Sequence, residues 1–224
     1  MTVAAVVVVG SRAGVLDELT PIAGVPMLVR TVRGLFAAGI PAVQVMAGVH
    51  ANVDAVEHAC AGLRVGVRGS DAPQWVVAHP DQRPARTDGD GSVTIRPDDV
   101  VLVHDAARPL TPVRLVEALV GAVTSGHDAV VPVLPLVDTV KVVDDDGLIG
   151  ATPDRAGLRV MQTPHAYRAG VLTEPLGVDA LELAARRAAS GQPVHTVTGE
   201  PLAFAVTTAW ELQLAEAAVE ERGG

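Results

Sequence analysis

The stretch Val100-Val101-Leu102-Val103-His104-Asp105-Ala106-Ala107-Arg108-Pro109 decides how this chain is read. Four consecutive apolar residues make a strand buried on both faces, and the polar residues after them fall on the loop beyond its carboxyl end. In an open α/β sheet ligands collect at that edge, where an acid can hold a divalent cation and a guanidinium can fork onto a phosphate. An Asp105 that caps the turn and pairs with Arg108 in a surface salt bridge accounts for the same letters. On pattern alone the two readings stand level.

Working outward, β-branched runs alternate with segments of helical period. Val3 to Val9, Ala42 to Ala47 and Ala129 to Val133 read as further strands. Met27 to Ala38 reads as a helix with Leu28, Thr31, Val32 and Leu35 on one stripe, and Ala51 to Ala61 as a second. Thr111 to Ser125 is a third, with Val113, Val116, Leu119, Val120 and Val123 inward. Later come a helix at Ala180 to Ala189, strand-like runs at Val194 to Val197 and Phe204 to Thr207, and a closing helix from Ala209 to Glu221. The alternation predicts an α/β fold, a mostly parallel twisted sheet with helices on both faces. Two stretches break it. Gly69 to Asp99 is rich in Asp, Pro, Gly and Arg, with only Trp75 to Ala78 strand-like, and predicts a long exposed insertion. Asp138 to Val160 predicts a projecting hairpin turning at Asp144-Asp145-Asp146-Gly147, an arm that needs a partner to lie against. No repeat or linker divides the chain, so one domain is expected over residues 1–224.

At 224 residues, 49% apolar and 19% charged, the composition excludes disorder. A net charge of −9 and five aromatic residues exclude a nucleic-acid surface, which needs a basic stripe and stacking platforms. Cys60 stands alone, so no internal disulfide is possible; a buried inert thiol and a reducing, cytoplasmic compartment are expected. The apolar start lacks a basic flank and is too short for a signal peptide or a membrane span. The seven histidines show no metal-ligand spacing: His50 and His58 read as a surface pair, and His104 as a structural hydrogen-bonding group. Gly10 and Gly14 alone are too weak a signal for a nucleotide loop. Asp144 to Asp146 read as a solvated turn, Trp75 and Trp210 as packing anchors.

Three ordered blocks together resemble the methylerythritol phosphate cytidylyltransferases of isoprenoid biosynthesis. These are His104 to Pro109; Pro132-Val133-Leu134-Pro135-Leu136-Val137-Asp138-Thr139-Val140-Lys141, like the family's Pro-x-x-Asp-Thr-aliphatic-Lys run; and Arg155-Ala156-Gly157-Leu158 followed by Gln162-Thr163-Pro164-His165. The last block is similar to a Gln-Thr-Pro-Gln motif, with His165 replacing the final Gln. The resemblance implies a Rossmann-like nucleotidyltransferase fold and a homodimer interlocked through a β-arm at about 138–160. It implies transfer of a cytidylyl group from CTP to a sugar-alcohol phosphate, with magnesium and release of pyrophosphate. Carried over residue by residue, Asp105 is the metal ligand and a catalytic residue, and Arg108 a substrate contact. Arg155 and Thr163, at the root of the arm, hold the sugar phosphate in the partner's site. Gly10, Ser11, Arg12 and Ala106 bind nucleotide, with Arg12 also catalytic.

The departures cluster on one side. The family's first loop, Ala-Ala-Gly-x-Gly-x-Arg with a later Pro-Lys, corresponds here to Val8 through Pro21, which is shorter, offers Arg12, has no lysine, and carries Asp17 and Glu18. A second family lysine, on a late strand, is replaced by Ala205. The Gly-Gly-x-x-Arg-x-x-Ser-Val segment on the cytidine side is reduced to Gly91-Ser92-Val93, and Asp179 to Ala184 replaces a Thr-Asp-Asp-Ala-like motif. The chain has sixteen arginines and one lysine, Lys141, which lies in the arm motif. Three readings follow: a divergent copy with weak or lost catalysis that acts by binding, an active enzyme using arginines for the missing lysines, or a transferase for another nucleotide or acceptor. Phosphoryl-type transfer rests on positioned charge, and the charge loss is concentrated at the triphosphate, which favours the first.

Overall fold

The computed structural model describes residues 1–10, 16–69, 76–77, 94–172, 176 and 178–223. Its main sheet has eight strands. These are β1 (Val3–Val9), β2 (Ala42–Ala47), β3 (Val65–Gly69), β4 (Val100–Asp105), β5 (Ala129–Pro135), β6 (Arg159–Met161), β7 (His165–Arg168) and β8 (His195–Thr198). Across the sheet they run β6-β5-β7-β4-β1-β2-β3, with β8 also on β5. The pairs of β1 with β2 and β4, of β2 with β3, and of β5 with β8 are parallel, whereas β6 and β7 are antiparallel to their neighbours.

Burial on both faces explains the continuous apolar strands. Ala5, Val7 and Val9 of β1 join a core with Leu28, Val32 and Leu35 of α1 (Met27–Ala37), and with Leu115, Val116, Leu119 and Val123 of α3 (Val113–Thr124). Cys60, at the end of α2 (Val53–Ala59), is buried in that core. Ala4, Val6 and Val8 point the other way, against Tyr167, Leu172 and Ala180, and against Ala184 of α4 (Leu183–Ala189). A third cluster lies under α5 (Ala209–Gly223), where Ala215 meets Ile22, Met27, Leu110 and Val206.

The register decides where a site can form. Val8 of β1 pairs with Met46 on one side and Asp105 on the other, so the carboxyl ends of β1, β2 and β4 lie at one edge. Pro26, before α1, brings no side-chain cap, and two of the helix's orphan amides are satisfied by a loop instead. Met27 N–H donates to Thr20 O at 3.1 Å and Leu28 N–H to Glu18 O at 2.9 Å, which pins residues 18–20 at that edge.

Several expectations change. Phe204 to Thr207 is no sheet strand: it follows a short 3₁₀ turn (Pro201–Ala203), and Val206 N–H donates to the loop carbonyl of Ala107 at 2.7 Å. Trp210 is 72% exposed, because α5 packs through Leu212, Ala215, Ala218 and Val219 and its second residue points away. In α3 the inward position missed by the periodic reading is Leu115, while Val113 and Val120 are half-buried. The Gly69 to Asp99 insertion is not exposed throughout: Ile95 and Asp99 are buried, Asp99 accepts from Thr2 and Arg96 N–H, and Val76–Val77 pairs with Thr94–Ile95. Residues 70–75 and 78–93, with Trp75, lie outside the described residues.

The predicted hairpin is present, held by Val142 N–H on Ala151 O, Gly150 N–H on Val142 O and Asp144 N–H on Leu148 O. Asp144 closes its turn by accepting from Asp146 and Leu148 N–H. Its ladder is a single bridge, Val143 with Ile149, so it is a looser arm than two full strands. Val137, Val142, Val143, Leu148 and Ile149 are all exposed on it.

Candidate functional site

The site grows from the end of β4. Asp105 is 2% exposed and its Oδ1 accepts from Ala107 N–H at 2.9 Å, which curls the loop and leaves Oδ2 uncommitted to that turn. Ala106 beneath it has both backbone groups engaged, N–H on Val8 O at 3.0 Å and carbonyl receiving the Thr31 hydroxyl at 3.1 Å. Ala106 is itself fully buried in the core, so neither its backbone nor its methyl is open to a ligand.

Thr163 reaches this point from the entry to β7, the strand beside β4. Its Oγ1 accepts from Asp105 N–H at 3.1 Å and lies 2.8 Å from His104 Nδ1. Burial, with the Arg108 charge adding to it, pushes His104 down to about 3 and His165 down to about 4, so both rings are neutral near pH 7. His104 is thus the structural hydrogen-bonding group expected from the sequence. Thr163, expected at the root of the arm, is buried beside Asp105 of its own chain, while Arg155 is exposed on the arm with Nη1 on Val137 O at 3.0 Å. No described contact joins the two within one chain.

The motif before Thr163 has a second task. Gln162 Nε2 donates to Glu200 O at 2.8 Å, and its Oε1 accepts from Glu200 N–H at 2.9 Å. Gly199 alongside donates to Val133 O at 2.8 Å, and a Cβ there would meet that carbonyl at 3.1 Å. This clamp leads directly to Ala203, whose carbonyl accepts from Arg108 Nη1 at 2.5 Å. Gln162, Gly199 and Ala203 were not foreseen as site residues; only the clustering of Gln162 with Thr163 hinted at them. Val206 N–H on Ala107 O brings Ala205, which stands where the family resemblance calls for lysine, next to the Asp105 loop.

Gly10 ends β1 with a φ of +66°, and a side chain there would meet Ala51 N at 2.7 Å. Its N–H donates to Glu18 Oε1 at 3.0 Å. Glu18 is buried, and burial raises its carboxyl above the ordinary value; its backbone bond and that from Gly10 oppose this, while the charges of Asp105 and Asp17 add to it. An acid therefore holds the Gly10 amide, at the start of the expected nucleotide loop. Ser11 and Arg12, like Gly14, lie outside the described residues.

An acid and an arginine at the carboxyl edge of an open, mostly parallel sheet, beside a glycine turn, define the class: a nucleotidyltransferase-type α/β protein. The family model described as 2-C-methyl-D-erythritol 4-phosphate cytidylyltransferase matches residues 3–221, and the chain belongs to that family. The protein of that name from Nocardia farcinica is 41% identical over 90% of this chain and 85% of its own length. The one from Frankia casuarinae is 42% identical over 96% and 80%. Among solved structures, the 4-diphosphocytidyl-2C-methyl-D-erythritol synthase of Anaerococcus prevotii superposes with a TM-score of 0.67 at 19% identity, covering 98% of both chains, a likeness of fold.

Proposed function

We propose that this chain is a divergent member of its family whose acceptor side is retained and whose transfer from CTP is weak or lost. The observation that carries this reading is the Glu18 carboxyl on the Gly10 amide, in a loop where a triphosphate needs donors. In the family reaction an acceptor phosphate oxygen attacks the α-phosphorus of CTP, the new P–O bond forms as the bond to the bridging oxygen breaks, and pyrophosphate leaves. Removing one preorganised donor from such a site costs about 10²–10³ in rate, and Asp17, Glu18 and Ala205 remove or invert charge at several positions.

For a divalent cation the described residues offer a hard, buried carboxylate, Asp105, with no group of three His, Cys, Asp or Glu around it, so phosphate oxygens and water would complete the shell of magnesium. Asp105 would hold it, and the ion would neutralise phosphate charge. Arg108, fixed by Ala203, serves the acceptor, with Thr163 setting the backbone of Asp105 and Arg155 entering from the partner's arm in a homodimer. In the pattern the resemblance implies, the nucleotide side is carried by Gly10 and, next along the chain, Ser11 and Arg12. The whole works as one domain with its arm, in the cytoplasm; among the described residues no helix is long and apolar enough to cross a membrane.

Calorimetry with CTP and magnesium, then pyrophosphate release on adding the sugar-alcohol phosphate, tests the proposal. Weak or absent CTP binding is expected. Turnover at ordinary enzymatic rates, abolished by Asp105→Ala, would establish the active reading with arginines in place of lysines.

A further inference from the structure

Away from the Asp105 carboxylate, a cavity of about 380 Å³ opens between α1, α5 and the loop after β4. Its lining is Val25, Arg30 and Arg33, the segment Pro109-Leu110-Thr111, and Val219. Arg30 and Arg33 are three apart on α1 and so share a face. Arg30 spends Nε and one Nη2 hydrogen on Ile22 O, at 3.0 and 2.7 Å, which fixes its guanidinium plane and leaves Nη1 unspent. The Arg33 side chain makes no hydrogen bond or ion pair with any described residue. The two charges act on each other: Arg30 is pushed below its ordinary value by burial first and by Arg33 second.

In a chain with 26 acids against 17 bases, the described lining of this cavity carries two guanidiniums and no acid, Arg33 open to solvent and Arg30 half-buried. The Thr111 hydroxyl, which donates to Arg108 O at 3.0 Å, keeps lone pairs for a donor but offers an anion no proton. Val25, Pro109, Leu110 and Val219 make the remaining wall apolar. Its volume falls in the range of small-molecule sites, about 300–1,000 Å³, and its mixture of apolar wall and few polar groups is theirs also.

We propose that this cavity binds an organic phosphate monoester: a dianion forked by Arg30 and Arg33, with a short apolar group against Leu110 and Val219. A dianion matches two guanidiniums, and bidentate pairing with phosphate is what arginine does best. The site is independent of whether the chain transfers a cytidylyl group.

The test is a titration of the full chain with phenyl phosphate, read by the methyl resonances of Val25, Leu110 and Val219, with inorganic phosphate and phenol run in parallel. Saturable shifts are expected with phenyl phosphate, and much weaker ones with either half alone. Arg33→Gln should weaken binding about tenfold, the scale of one charge-assisted hydrogen bond. Val219→Trp, which fills the cavity without changing charge, should abolish it, while Asp105→Asn should leave it unchanged. Circular dichroism of each variant confirms the fold. No shift at millimolar phenyl phosphate, equal binding in Arg33→Gln, equal binding of phosphate or phenol alone, or loss of binding in Asp105→Asn would each overturn the proposal.

Discussion

Glu18 accepts a hydrogen bond from the backbone of Gly10, eight residues earlier in the chain, and does so as a buried acid that faces the charge of Asp105. The carbonyl of Glu18 is held at the same time by Leu28 N–H, so the side chain is aimed by α1 rather than by the loop itself. Replacing the acid by its amide keeps the acceptor for Gly10 and removes the negative charge. Glu18→Gln should therefore tighten CTP binding about tenfold, the scale of one hydrogen bond to a charged group, as measured by calorimetry. Unchanged affinity would show that the acid does not oppose the nucleotide.

The same acid sets a dependence on pH. A carboxyl raised in the folded state contributes stability that is complete below its unfolded value and lost as pH rises through its folded value. Denaturation of wild type and Glu18→Gln should therefore diverge with rising pH in favour of the variant. The difference in CTP affinity between them should shrink as pH falls.

His104 and His165 act in the opposite sense. Both are depressed, to about 3 and about 4, so their contribution is complete above the ordinary histidine value of 6.5 and lost as pH falls toward those values. In urea denaturation series His165→Gln should lose less stability on acidification than wild type, by roughly 3 kcal/mol near pH 4. Parallel acid profiles would count against a buried neutral ring.

Thr163 supplies one oxygen to two partners, Asp105 N–H and His104. Thr163→Val removes it without changing volume and leaves a buried amide unpaired, which costs about 1–3 kcal/mol. Thr163→Ser should restore most of that loss. Equal stability of the Val and Ser variants would mean that the hydroxyl is not what holds the loop.

The arm carries exposed Val142, Val143, Leu148 and Ile149 in the single chain. The proposed homodimer would bury them against a second copy, so Val142→Asp with Ile149→Asp should shift sedimentation toward monomer and leave the far-ultraviolet spectrum unchanged. Dimerisation undisturbed by both charges would place the interface elsewhere.

The central sheet was legible because its signal is local. Val3–Val9 is apolar on both faces and Ala42–Ala47 is so except for the buried Gln44, and the structure returns those bounds. The end of β4 was legible in place but not in extent: His104 and Asp105, read as loop, are buried and form the last two residues of the strand. The contacts that build the site were not legible. Thr163 meets Asp105 across 58 residues and Gln162 meets Glu200 across 38, and no period or spacing encodes such a meeting. Glu18 was visible as charge near the loop, but its role as the occupant of an amide depends on how the helix behind it begins. Phe204 to Thr207 has strand composition, yet its described backbone pairing is one bond to Ala107 and one from Leu16, on two different loops rather than a strand. Trp210 shows the same limit: size and apolarity suggested burial, and the helix phase decided otherwise.

Cys60 lies in the core at the end of α2, and burial pushes its thiol up to about 11. Near neutral pH it is neither reachable nor ionised while the chain is folded, and only the thiolate reacts with alkylating reagents. Opening of the sheet on that side restores both conditions together. The rate at which a maleimide consumes this one thiol is thus a direct clock of unfolding, with no engineered probe and no second cysteine to confuse the reading.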